Sequence, residues 1–229
     1  MLINILQQAS LFSELNLHEL QSIAAILKIK REPKQTLIVE EGEKGDRLFI
    51  ILKGSVKVSY YTKDGREVIL SILEQGEMFG ELSLLDEQPR SATVSTLEST
   101  ELAMIRRADF QKLMLENSHI MLKIMNEIVS RLRRTSQVLE RISTMDVPHR
   151  LYVYLLDRCK DAGIQNKTGL CVIKIPTHQI IADQLSTSRE TISRAISSLK
   201  NKKVLIAEKK RGEIAVDIIS LETLRMKLD

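Results

Sequence analysis

Only two cysteines, Cys159 and Cys171, occur in the 229 residues, too few and wrongly spaced for a zinc or iron–sulfur set. No apolar run approaches the roughly 20 residues of a membrane span, so no membrane partner is expected. The N-terminal MLINILQQASLFSEL has no basic n-region and no small-residue cleavage site. No secretory leader is read there, and cytoplasmic residence is the expectation. A P-loop, a nucleophile elbow and a metal-spaced histidine set are all missing, and Ser, His and Asp gather in no catalytic motif. Enzymatic chemistry and a bound metal are therefore not expected.

What is present suits a soluble globular chain: 43% hydrophobic and 28% charged residues, enough to bury a core in one large or two modest domains. The net charge of +4 is unevenly placed. Residues 146–229 carry 15 Lys+Arg against 10 Asp+Glu, and residues 1–145 carry 19 against 20. A basic C-terminal third on a near-neutral body points to a polyanion partner at that end.

Residues 4–30 read as short amphipathic helices, with Leu11, Phe12, Leu15, Leu17, Leu20, Ile23 and Ile26–Leu27 as the apolar set. From Gln35 to about Arg107 short β-rich runs take over: Thr36–Val39, Leu48–Leu52, Val56–Tyr61, Val68–Leu73, Ala92–Leu97 and Glu101–Arg106. Gly42, Gly45, Gly54, Asp64-Gly65 and Gly76 punctuate them as turns. Many short strands with regular turns predict a small antiparallel barrel.

Within this region Phe79 to Val94 reads FGELSLLDEQPRSATV. Gly80, Glu81, Leu82 and Ser83 look like the start of a short helix, whose free N–H groups suit one phosphate. Arg90 offers a planar fork that matches phosphate oxygens, and Ser91 adds a hydroxyl beside it. Glu81 cannot bind phosphate and needs a sugar hydroxyl or an arginine. Two readings stay open on these residues alone. Glu81 and Arg90 form a plain ion pair at a barrel rim, or the run cradles a compact ligand with one phosphate and one ribose hydroxyl.

Residues 118–145 carry no Gly or Pro, and Met121, Met125, Ile128, Leu132, Thr135, Leu139 and Ile142 recur at spacings of four and three. That pattern is a coiled-coil seam, which needs a partner helix, most simply from a second copy. The alternative is a helix packed on its own barrel. A polar pair, Thr135-Ser136, interrupts the seam.

Met145-Asp146-Val147-Pro148 breaks this helix, with Asp146 able to cap a new one over 149–163, closed by Gly163. A polar turn, Gln165–Gly169, leads into a strand over Leu170–Ile175. Thr177 is a natural N-cap for a helix carrying Ile180, Ile181, Ala182 and Leu185, and after the turn Ser186–Ser188 a second helix runs from Arg189 to about Lys200. Ala182, Leu185, Ile192, Ile196 and Leu199 form their shared core, as in a helix-turn-helix. Val204–Glu208 and Ile214–Ile219, joined by Lys209-Lys210-Arg211-Gly212, read as a hairpin wing with a basic tip. Glu190 and Arg194 share one exposed face with Arg189 adjacent. Such residues either pair with one another as a solvated cluster or read guanine and cytosine edges in a major groove.

The run FGELSLLDEQPRSATV resembles the phosphate-binding cassette of cyclic-nucleotide-binding domains, which typically reads FGE(L)…(P)R(S/A)A(T). The Thr135-Ser136 pair and SRETISRAI resemble the base-contacting pair and the recognition helix of the catabolite activator protein family. The three signatures stand in the order and spacing of CRP/FNR regulators, closest to that catabolite activator (cyclic AMP receptor) branch. The resemblance implies an α+β chain. Its parts are an N-terminal antiparallel β-barrel or jelly-roll domain (1–117), a dimerisation helix (118–145) and a C-terminal winged helix-turn-helix (146–229).

It further implies that Arg90 and Ser91 hold the cyclic phosphate and Glu81 the ribose 2′-hydroxyl. The backbone of Gly80 and Leu82 closes the cradle, Ser83 and Ala92 complete it, and Thr135 and Ser136 meet an adenine, so cyclic AMP is the expected ligand. Arg189, Glu190 and Arg194 would read a palindromic TGTGA-like site, with Ser188 beside them and Thr177, His178 and Gln179 on phosphates. His178 stands where arginine is frequent, which implies a pH-sensitive contact. Expected partners are double-stranded DNA, a second copy of the chain and RNA polymerase. With neither an N-terminal cysteine cluster nor a His or Cys pairing for haem, the redox and gas-sensing branches are not expected. Cyclic GMP or no nucleotide, and more remotely the regulatory subunit of an enzyme, remain the rival readings.

Overall fold

The segment RLFIILK buries both of its faces. Leu48, Ile50 and Leu52 enter a core shared with helices, while Phe49 and Ile51 enter the space between two sheets, as the period of two along a strand requires. The computed structural model describes residues 3, 6, 7, 12, 15–65, 67–162, 169–207 and 212–227. The chain divides into two compact units, Met1–Arg133 and Arg134–Asp229.

In the first unit α1 (Leu17–Ile26) precedes strands β1 (Lys28–Glu32), β2 (Leu37–Val39), β3 (Arg47–Lys53), β4 (Val56–Tyr61), β5 (Glu67–Leu73) and β6 (Met78–Phe79). A short helix α2 (Leu82–Leu85), strands β7 (Thr93–Thr96) and β8 (Thr100–Arg106), and helices α3 (Arg107–Glu116) and α4 (Ser118–Thr144) follow. Two antiparallel four-stranded sheets, ordered β1-β8-β3-β6 and β2-β7-β4-β5, make the expected jelly roll. One core lies between the sheets, around Phe49, Ile51, Val56, Leu73, Phe79 and Val94. The other lies between the first sheet and α1, α3 and α4, around Leu20, Ile23, Leu48, Ile50, Phe110 and Ile124.

Three readings of this unit are corrected. Helix does not extend to residue 30: it ends at Ile26, and Lys28–Glu32 is an edge strand paired with Thr100–Met104. Four of its five residues are exposed, so pairing with β8 rather than an apolar pattern defines it. Leu17 and Ile26 face solvent, while Phe12, Leu15, Leu20 and Ile23 are buried; Leu11 lies outside the described residues. A further two-residue strand, Met78–Phe79, joins β3.

In the second unit α5 (Val147–Ala162), β9 (Leu170–Lys174), α6 (His178–Gln184), α7 (Arg189–Asn201), β10 (Leu205–Ala207), β11 (Glu213–Asp217) and α8 (Ile218–Met226) surround one core. The Asp146 carboxylate accepts from the His149 N–H at 2.9 Å, which caps α5 two residues earlier than the sequence reading placed its start. The wing is three-stranded, β10-β11-β9. Its second strand stops at Asp217, whose carboxylate accepts from the Ser220 N–H at 3.1 Å. Ile218 and Ile219 therefore open a helix rather than continue the strand. Gly163, Gln165–Thr168, Glu208 and the basic tip Lys209-Lys210-Arg211 lie outside the described residues. Cys159 and Cys171 are buried free thiols, and burial beside Cys171 pushes the Cys159 thiol up to about 12, so it is no nucleophile at neutral pH.

Candidate functional site

Gly80 turns the chain from β6 into α2 with φ +83. A Cβ there would stand 2.5 Å from Arg90 Nη1 and 3.0 Å from the Arg47 carbonyl; one on Gly45 would stand 2.8 Å from Arg90 Cζ. These glycines admit the Arg90 guanidinium, which is only 6% exposed. Its Nη1 donates to the Gly80 carbonyl at 2.8 Å and reaches Ser83 Oγ at 3.5 Å, and its Nη2 donates to the Arg47 carbonyl at 2.8 Å. Cζ lies 5.8 Å from the centre of the Phe49 ring, which itself stacks on Phe79. Burial pulls the Arg90 pKa down, and Asp46, Glu81 and Glu43 oppose it. Ser83 and Ala92 are buried, Leu82 is 40% exposed, and Ser91 is exposed.

Glu81, 2% exposed, does not pair directly with Arg90. Its Oε1 accepts from Arg131 Nη1 at 2.9 Å. Arg131 also donates through Nη2 to the Met78 carbonyl at 2.5 Å and through Nε to Glu127 at 2.8 Å. Oε2 of Glu81 is buried and finds no hydrogen-bond partner among the described residues. Desolvation raises the Glu81 pKa, with Arg131 the largest opposing influence. Sequence reading foresaw an arginine as one possible partner but missed Arg131. Its signal is the i,i+4 pair Glu127–Arg131 on a helix face beside the seam.

A second arginine missed in the sequence is Arg107. Its Nη2 donates to the Gly45 carbonyl at 2.9 Å and the Ser83 carbonyl at 2.8 Å, and its Nη1 reaches Glu87 Oε1 at 3.3 Å.

Helix α4 presents two stripes. Ile120 and Ile124 are buried in the core of the first unit, with Ile128 packed against it. Met121, Met125, Leu132, Leu139 and Ile142 are exposed. Packing on its own barrel and an outward seam therefore coexist on one helix. Thr135 and Ser136 are exposed on α4.

In the second unit Thr177 caps α6, its Oγ1 accepting from the Ile180 N–H at 3.4 Å. Ser188 caps α7, accepting from the Thr191 N–H at 3.2 Å. The turn between them is closed by the Thr187 N–H on the Ala182 carbonyl, with Ser186 at φ +51. Ile192, Ile196 and Leu199 bury one side of α7, which leaves Arg189, Glu190 and Arg194 exposed. Gln179 is also exposed and donates to Asp183 at 2.8 Å. His178 is half-buried; burial, Lys200 and Arg189 hold its pKa down. The structure thus gathers Thr177, His178 and Gln179 at one helix start and Ser188, Arg189, Glu190 and Arg194 at the next.

Among the described residues no helix is long and apolar enough to cross a membrane, and no group of three or more His, Cys, Asp or Glu is placed to hold a metal ion.

A model of the cyclic nucleotide-binding domain matches residues 29–117, and one of the Crp-like helix-turn-helix domain matches residues 149–226. The chain is 31% identical over 215 residues to the CRP-like cAMP-activated global transcriptional regulator of Mycobacterium tuberculosis (strain ATCC 25618 / H37Rv), covering 90% of this chain and 96% of the relative. It is 33% identical over 183 residues to the cAMP-activated global transcriptional regulator CRP of Salmonella typhimurium, covering 80% and 87%. Among solved structures, the Thermus thermophilus catabolite activator protein is 28% identical with a TM-score of 0.55, covering 96% of this chain and 100% of that one. The c-di-GMP responsive global regulator CLP of Xanthomonas campestris, 23% identical, shares the fold with a TM-score of 0.75 over 88% and 99%. Both domains in this order, with relatives above 30% identity over most of the chain, place it in the CRP/FNR family of cyclic-nucleotide-binding transcription regulators, not among enzymes.

Proposed function

We propose that the chain is a cytoplasmic homodimeric regulator switched by cyclic AMP and reading a palindromic TGTGA-like DNA site. The observation that carries the nucleotide half is the Glu81 carboxylate. One oxygen is held by Arg131 and the other is buried with no partner among the described residues. A buried lone acceptor is costly, by ~1–3 kcal/mol, and a ribose hydroxyl relieves it. Arg90, in the same cassette, is a buried cation whose planar fork suits a phosphate. Ser91, exposed beside it, adds a hydroxyl, and the Gly80, Leu82, Ser83 and Ala92 backbone completes the cradle. Names of the relatives, which are cAMP-activated, favour adenine over guanine. Thr135 and Ser136 are the residues proposed to meet the base.

The exposed apolar residues Met121, Met125, Leu132, Leu139 and Ile142 support pairing with a second copy, while Ile128 of the expected seam packs on the core instead. Two copies then present Arg189, Glu190 and Arg194 to successive major grooves roughly 34 Å apart, with Ser188 beside them and Thr177, His178 and Gln179 on phosphates. RNA polymerase is the expected recipient of the output.

Calorimetry with cyclic AMP and cyclic GMP tests the input. Wild type should bind cyclic AMP more tightly, and Arg90→Leu should bind neither while remaining folded. Unchanged affinity in Arg90→Leu would contradict the site.

A further inference from the structure

Arg90 and Arg107 join the same two strips of backbone. One strip is the turn between β2 and β3, residues 45–47; the other is the cassette, residues 80–83. Arg90 links them through the Arg47 and Gly80 carbonyls, and Arg107 through the Gly45 and Ser83 carbonyls. Arg107 opens α3, and its own N–H donates to the Asp46 carbonyl at 2.9 Å, so backbone and side chain are both tied to that turn. Its fork also reaches Glu87, a non-glycine residue at φ +61 in the rim loop before Arg90.

A phosphate competes with these carbonyls for the Arg90 donors. Each Nη carries a second N–H, but a guanidinium drawn toward a phosphate moves off the Gly80 and Arg47 carbonyls, and the link between the strips weakens when the cradle must keep its shape. Arg107 lies outside the cassette run, and its donors are held by the Gly45 and Ser83 carbonyls and by Glu87. We propose that Arg107 is the positioning residue of the nucleotide cradle, bracing the 45–47 turn against the cassette while Arg90 transfers from protein carbonyls to the cyclic phosphate. The inference rests on the cyclic-nucleotide reading above. It assigns Arg107 no contact with the ligand.

The test is calorimetric titration of the full chain with cyclic AMP, comparing wild type, Arg107→Gln, Arg107→Lys, Arg90→Lys and the two double variants. Thermal unfolding is recorded for each. Arg107→Gln should weaken binding about tenfold, the scale of a lost charged hydrogen bond and a displaced binding group. Arg107→Lys keeps donors but loses the planar fork, and should fall between, at about threefold. If Arg107→Gln does not fold, Arg107→Lys carries the test. Both losses should shrink toward nothing in the Arg90→Lys background, because Arg107 acts through Arg90; a generally loosened barrel would lose affinity equally in both backgrounds. Variants that match wild type, or losses undiminished in the Arg90→Lys background, overturn the role of Arg107 while leaving the nucleotide reading intact. A wild-type chain that binds neither cyclic AMP nor cyclic GMP overturns both.

Discussion

Glu81 is buried in a place that resists its charge, and Arg131 compensates on one oxygen only. Desolvation therefore holds its pKa above the ordinary value, while a ribose hydroxyl donating to Oε2 would favour the ionised form. As pH falls toward the raised pKa, Glu81 takes up a proton, loses its hold on Arg131, and ceases to be a full acceptor. Cyclic AMP affinity should accordingly fall as pH drops through the raised Glu81 pKa, above the ordinary carboxylate range, with a proton released on binding in that window. Calorimetry in buffers of different ionisation heat checks this, and a pH-independent affinity would count against the Glu81 role. His178 runs the other way. Burial, Lys200 and Arg189 keep it neutral near pH 7 in the free chain, and a nearby DNA phosphate would raise its pKa. DNA binding should then take up a proton and strengthen on acidification, by about tenfold for one charge-assisted contact. In His178→Ala this pH-dependent gain should vanish; its persistence there would remove His178 from the phosphate grip.

Helix α4 carries two apolar stripes, one buried and one exposed. Ile120 and Ile124 are committed to the barrel, whereas Leu132 and Leu139 are each 65% exposed. Covering a leucine contributes ~1.5–3 kcal/mol, so the proposed pairing of two copies would draw on both positions of each. If the exposed stripe is the seam of the proposed dimer, Leu132→Glu with Leu139→Glu should give a folded monomer in sedimentation velocity where wild type is dimeric, and a persisting dimer would place the interface elsewhere. The same helix shows what the sequence makes legible. Its heptad spacing is a local pattern and could be counted, and so could the cap Thr177 and the cassette from Gly80 to Arg90. Partnerships across long stretches of chain could not. Arg131 lies fifty residues from Glu81, and nothing in its own surroundings names that carboxylate. Strand β1, KIKRE, has no apolar alternation, because as an edge strand it is specified by its hydrogen bonds to β8. Helix α8 was hidden since IIS continues the apolar character of β11, and only the cap at Asp217 marks the change.

Across the full chain, the boundary between the two compact units falls inside α4, between Arg133 and Arg134, just before Thr135-Ser136. A regulator needs differential binding to two states rather than mere occupancy. Coupling of ~1–3 kcal/mol is typical of such devices and corresponds to a change of about 5- to 150-fold in DNA affinity. The decisive measurement is the affinity of the chain for a TGTGA-type palindrome, titrated at fixed salt with and without saturating cyclic AMP. Tighter binding within that range with cyclic AMP, and its loss in Arg90→Leu, is the predicted result. Equal affinity in both conditions, for a chain that calorimetry shows to be loaded with the nucleotide, would contradict the switch.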